Sequence, residues 1–197
     1  MKKEIVFDEV FDAQEQFRIL LNAFAKPGII NTFGNFDFEV PSGFNTSSLI
    51  VAFALLNADV HFFSTNDVLN KYISLNTNST LSGVATADFI FIRPEETQLA
   101  INHCKTGTLS YPEESATLVI AVTRVANVFF ENSIGITCSG PGIKDTNTFF
   151  VAGIASKEIE ALLAMNEEFP LGVDIVLADD HLQIVSLPRS TKYKVID

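Results

Sequence analysis

The residues of this chain best equipped to bind a ligand stand near its end, in Pro188-Arg189-Ser190-Thr191. A guanidinium fork beside two hydroxyls can hold a phosphate or phosphonate through paired, charge-assisted hydrogen bonds. The same residues also read as a surface tail that pairs with local acids. Upstream, Asp174 stands at the start of a strand-like run, "GVDIVLA", and a second run, "HLQIVSL", follows Asp179-Asp180. Their connection is too short for a parallel crossover, so the two runs are expected to form an antiparallel hairpin with Asp174 and Arg189 at one edge of the sheet. There Asp174 either pairs with Arg189 or orients it toward an incoming anion or an acidic partner surface.

Other polar motifs offer less. "KTGTLSYPEE", Lys105 to Glu114, places Gly107 and Thr108 in a loop that can line a polar pocket or simply join a helix to a strand. "SGPGI", Ser139 to Ile143, resembles a phosphate cradle until Pro141 is noticed. It removes a donor from the middle of a device that works through consecutive N–H groups, so a turn is the better reading. His61, His103 and His181 are scattered, and zinc needs convergent ligands. Asp179-Asp180 can serve magnesium, but hairpin turns favour Asp for backbone reasons alone. No nucleophile stands in a recognisable catalytic motif, and no lysine has a context that marks a Schiff base.

The composition narrows the partners. The chain has 24 acidic and 13 basic residues, a net charge of −11 that repels phosphate backbones and anionic headgroups. Neither nucleic acid nor a membrane surface is expected as a partner. The start, "MKKEIVFDEVF", lacks the apolar core of a signal peptide, and no run reaches the length of a membrane span, so a cytoplasmic protein is expected. Cys104 and Cys138 form no paired motif, which suits reduced thiols. Charged residues are only 19% of the chain and mean hydropathy is +0.26. That combination suits a homodimer that buries an apolar patch, though a sheet buried on both faces raises hydropathy too.

The elements that must position these residues alternate between helices and buried strands. No linker divides residues 1–197, so one α/β domain is expected, with a mixed sheet between helical layers. Ala13, Phe17, Leu20, Leu21 and Phe24 predict an amphipathic helix capped by Asp12 and ended by Pro27-Gly28. "GIINTF" reads as a strand. An almost wholly apolar helix is expected from Thr46 to Leu56, capped by Thr46 or Ser47, and another after a cap at Asn66. "DVHFFST", "ADFIFIR", "ATLVIAV" and "IGITCS" read as strands. Pro94 starts one further helix and Ser156 caps the last.

Five phrases in register over about Phe11 to Val195 carry a family resemblance: "DAQEQFRILLNAFAKPG", "GTLSYPEESATLVIAV", "SGPGI", "FPLGVDIVL" and "LPRSTK". Together they resemble PhnH, a subunit of the bacterial carbon–phosphorus lyase system for phosphonate degradation. The resemblance implies a three-layer α/β/α domain like the large domain of pyridoxal-phosphate-dependent transferases, without the residues that bind that cofactor. It implies a homodimer that joins PhnG, PhnI and PhnJ in a core complex. With PhnL, that complex makes a ribose 1-phosphonate 5-triphosphate from ATP and a phosphonate. PhnI is the nucleosidase component, PhnJ is the iron–sulfur radical enzyme, and PhnH has no assigned chemical step. The expected role is therefore an assembly or shared-site subunit, with a stand-alone phosphonate- or nucleotide-binding enzyme or sensor as the alternative. Two departures stand out: Ser115 where glycine is common, and a shortened "LLNADVHFF" segment across Leu55–Phe63.

Overall fold

The computed structural model describes residues 7–196. Its frame is a seven-stranded mixed sheet. In chain order the strands are β1 (Asn31–Thr32), β2 (His61–Ser64), β3 (Thr80–Leu81), β4 (Phe89–Ile92), β5 (Thr117–Ala121), β9 (Asp174–Ala178) and β10 (Gln183–Leu187). The spatial order is β1-β10-β9-β5-β4-β2-β3. The five strands from β9 to β3 run parallel, while β10 and β1 run antiparallel to their neighbours.

The central strands are apolar on both faces, as a doubly covered sheet requires. Phe91, Val119 and Val176 point to one face, toward α1 (Phe11–Ala25), α2 (Thr46–Leu55) and α3 (Asp67–Thr77). Ile90, Ile92, Leu118, Ile120, Ile175 and Leu177 alternate to the other face, toward α4 (Thr97–His103) and α5 (Ser156–Ala164). Helices on both faces of a mixed sheet match the expected α/β class.

The second face carries something the sequence reading did not contain. A four-stranded antiparallel sheet, β11-β7-β8-β6, packs there beside α4 and α5. It consists of β6 (Arg124–Ala126), β7 (Ile134–Ser139), β8 (Asn147–Ala152) and β11 (Lys192–Ile196). "IGITCS" is thus a strand of this sheet, and the segment after Arg189 is one of its edges rather than a loose tail. β11 pairs with β7 from Lys192↔Ser139 to Ile196↔Gly135 and buries Tyr193, with Lys192 and Lys194 outward.

Helix starts differ from expectation by a few residues. Asp8, not Asp12, caps α1, accepting the N–H groups of Val10 and Phe11 at 2.8 and 2.7 Å. Asp12 instead accepts the Asp8 N–H. Asn45 rather than Thr46 or Ser47 caps α2, because its Oδ1 takes the Ser48 N–H at 2.9 Å. Asn66 caps α3 as expected. Ser156 is the first residue of α5, which has no side-chain cap. The face of α1 turned to the core is Gln16, Leu20 and Ala23, while Phe17 and Leu21 face outward. Gln16 is buried because its Oε1 accepts the Gly34 N–H at 2.9 Å, a polar anchor that fixes the helix rotation.

Candidate functional site

The β9–β10 hairpin forms as the short connection demands, with Leu187 opposite Ile175. That register carries the chain past Pro188 and puts Arg189 beside Asp174. The Arg189 backbone N–H donates to Asp174 Oδ1 at 2.8 Å. Its Nη2 donates to Oδ2 at 2.6 Å and its Nε to Oδ1 at 3.3 Å. The third guanidinium nitrogen, Nη1, donates to the Pro112 carbonyl. Side-chain exposures of 16% for Arg189 and 21% for Asp174 make this a largely buried, bidentate pair. Of the two roles open to Asp174, direct pairing is the one adopted.

The loop before β5 supplies the other wall. Gly107 has φ +78°, and a Cβ there would lie 2.6 Å from the Pro112 carbonyl oxygen, so glycine is required for the close approach. Thr108 and Tyr111 exchange backbone hydrogen bonds at 3.1 and 3.2 Å, and Thr108 Oγ1 accepts the Tyr111 N–H. Below them Gly172, at φ +130°, lies against Asn166. The Asn166 amide accepts the Val173 N–H and donates to the Val173 carbonyl. This clamp sets the start of β9, and hence Asp174.

Between these loops lies an open cavity of about 420 Å³, lined by Pro112, Glu113, Phe169, Pro170, Asp174, Pro188, Arg189 and Ser190. Of the expected site residues, Asp174, Arg189 and Ser190 line it. Gly107 and Thr108 support the wall through Pro112 without lining it. Thr191 is buried at 2% exposure beneath the site, its hydroxyl without a partner among the described residues and its N–H on the Pro188 carbonyl. Pro112, Glu113, Phe169, Pro170 and Pro188 all stood in quoted motifs, but nothing marked them as cavity walls, because their convergence depends on contacts between distant segments. Ser115, the departure from the family pattern, is buried, and its hydroxyl has no partner among the described residues.

The position of this cavity matters. Asp174 begins β9 and pairs across to Thr117, which begins β5, so the cavity opens at the amino-terminal edge of the parallel strands. Ligands of open α/β sheets settle at the carboxyl edge. That edge is filled by internal contacts. Asn45 Nδ2 donates to the Ala178 and Val122 carbonyls, and Ser47 Oγ to the Asp179 carbonyl. Buried Asp179 accepts the Val125, His181 and Gln183 N–H groups, so it is a turn residue, as read, that stitches the hairpin to β6. Nearby, Arg93 Nη2 donates to Glu96 Oε1 at 2.8 Å, and the Thr65 hydroxyl donates to the same oxygen.

"SGPGI" is the turn that Pro141 suggested. A Cβ on Gly142 would lie 2.3 Å from the Ala25 carbonyl, so the turn packs against the end of α1. Both cysteines are free, and burial pushes the Cys104 thiol up to about 11 and the Cys138 thiol to about 12. Among the described residues no group of three His, Cys, Asp or Glu is placed to hold a metal ion. No helix among them is long and apolar enough to cross a membrane.

Comparison with known proteins agrees with the motif order. Residues 6–194 match the family described as bacterial phosphonate metabolism protein (PhnH). The chain belongs to the PhnH family. A family relative from Rhizobium meliloti (strain 1021), the alpha-D-ribose 1-methylphosphonate 5-triphosphate synthase subunit PhnH, is 28% identical over 190 residues. That match covers 94% of this chain and 92% of the relative. HtxG of Stutzerimonas stutzeri, provisionally named a C-P lyase subunit, is 28% identical over 184 residues, covering 90% of this chain and 84% of that protein.

Proposed function

We propose that this PhnH-family chain is a subunit of a carbon–phosphorus lyase core complex. It would support formation of ribose 1-(methyl)phosphonate 5-triphosphate from ATP and a phosphonate by assembling with PhnG, PhnI and PhnJ, rather than through an anion site of its own. The observation that carries this reading is the closed guanidinium of Arg189, whose three nitrogens are all engaged by Asp174 and the Pro112 carbonyl. A phosphonate clamp needs that fork free, and opening it would strand a largely buried carboxylate. The stand-alone enzyme or sensor is therefore the weaker reading.

Without those partners the chain is expected to pair with a second copy in the cytoplasm. Exposed Phe17 and Leu21 on α1, with Val10 just before it, offer an apolar face for that contact. Pyridoxal phosphate is not expected to bind; a borohydride-trapped adduct on one lysine would contradict this. The functional test is growth on methylphosphonate as sole phosphorus source. A host that lacks only its own PhnH-family gene should fail to grow until this chain is supplied. Unimpaired growth of the deleted host would refute the proposal.

A further inference from the structure

We propose that the cavity beside Arg189 is a docking pocket for a basic surface of a different protein, which inserts an apolar side chain between Phe169 and Pro112. The inference rests on the subunit reading above and names the chemistry of the contact.

Four features support it. The walls are largely apolar, from Pro112, Phe169, Pro170 and Pro188, and about 420 Å³ suits one or two side chains rather than a nucleotide with its triphosphate. Beside the mouth, Leu109, Tyr111 and Phe169 are 77%, 57% and 62% exposed, a concentration of large apolar groups that water alone does not favour.

The charge around them is mainly acidic. Besides Asp174, which is paired with Arg189, the rim loops 106–115 and 166–174 carry Glu113, Glu114, Glu167 and Glu168 and no lysine or arginine. Arg189 is neutralised by Asp174, and exposed Lys192 beyond Ser190 leaves the balance acidic. An acidic rim around an apolar centre complements a basic partner with an apolar anchor. It disfavours a free phosphonate. A second copy of this chain is disfavoured too, because two-fold contact would set the same acids against one another.

The rim is also pre-organised. The Thr108–Tyr111 turn, the Gly107–Pro112 approach and the Asn166 clamp hold both loops before any partner arrives. Contact then costs little loop ordering.

The test measures assembly of the full chain with PhnG, PhnI and PhnJ, for wild type, a Glu113→Lys/Glu114→Lys variant, Phe169→Ser, and the remote control Glu131→Lys. All four substituted positions are exposed, and circular dichroism with a melting curve confirms folding. Wild type and control should assemble alike, more weakly as salt rises, and each rim variant about tenfold or more weakly. Equal assembly of folded rim variants and wild type would overturn the docking inference alone and leave the subunit reading standing. Failure of wild type itself to assemble would overturn both.

Discussion

Replacing Arg189 by alanine removes a side chain that holds two strand ends and a loop together. The substitution deletes two hydrogen bonds to Asp174 and one to the Pro112 carbonyl, and leaves a carboxylate only 21% exposed with the Arg189 backbone N–H as a remaining donor. An exposed pair is worth about 0–1 kcal/mol, and breaking a fully buried one costs about 3–5 kcal/mol. Intermediate burial and the surviving backbone bond place this change at about 2–3 kcal/mol. For a domain of this size that is a fall in Tm of about 5–10 °C. Arg189→Lys should fall between, because one ammonium cannot serve both carboxylate oxygens and the Pro112 carbonyl. Thermal unfolding of Arg189→Ala, Asp174→Ala and the double variant gives the coupling directly, expected at about 1–2 kcal/mol. Single variants within about 0.5 kcal/mol of wild type, with no coupling, would refute the reasoning.

Two further outcomes are expected. Gly107→Ala forces a Cβ to 2.6 Å from the Pro112 carbonyl oxygen at a positive φ, so a loss of about 1–3 kcal/mol is expected in denaturant unfolding, against almost none for Gly83→Ala, whose Cβ would meet only Thr86 Oγ1 at 4.0 Å. Stability should also fall in acid. Burial alone would raise Asp88, but the hydrogen bond from Lys105, the His61 N–H and the neighbouring charges of Lys105 and His61 outweigh it and hold the carboxyl below its ordinary range. Burial of Glu96 is likewise outweighed by Arg93 and Thr65. Carboxylates depressed on folding stabilise the protein above their unfolded values, about 4, and that stability is lost as pH falls through the lower folded values. Tm should therefore drop steeply below about pH 4, and Asp88→Asn should flatten that drop, as melting curves across pH would show.

The parts of the fold legible in the sequence are those governed by local rules. The apolar runs "GVDIVLA" and "HLQIVSL" and the short join between them dictated the hairpin, and the hairpin dictated that Asp174 and Arg189 meet. The closure of the fork was not legible, because its third acceptor is the Pro112 carbonyl, far away in the chain. The second sheet escaped for a different reason. Nothing local in "IGITCS" says that it joins a sheet other than the main one, and β6, three residues long, is too short for a periodic signal. β11 did carry one: Lys192 out, Tyr193 in, Lys194 out is the alternation of a half-buried strand. α1 was found but turned, because its apolar arc is broad enough for either side to face the core until the Gln16–Gly34 bond chooses.

The most direct test of the subunit assignment is the native mass of this chain after co-expression with PhnG, PhnI and PhnJ. The account predicts one species that contains all four chains and persists through size exclusion. Elution of this chain at its own monomer or dimer mass, beside a complex of the other three, would contradict it.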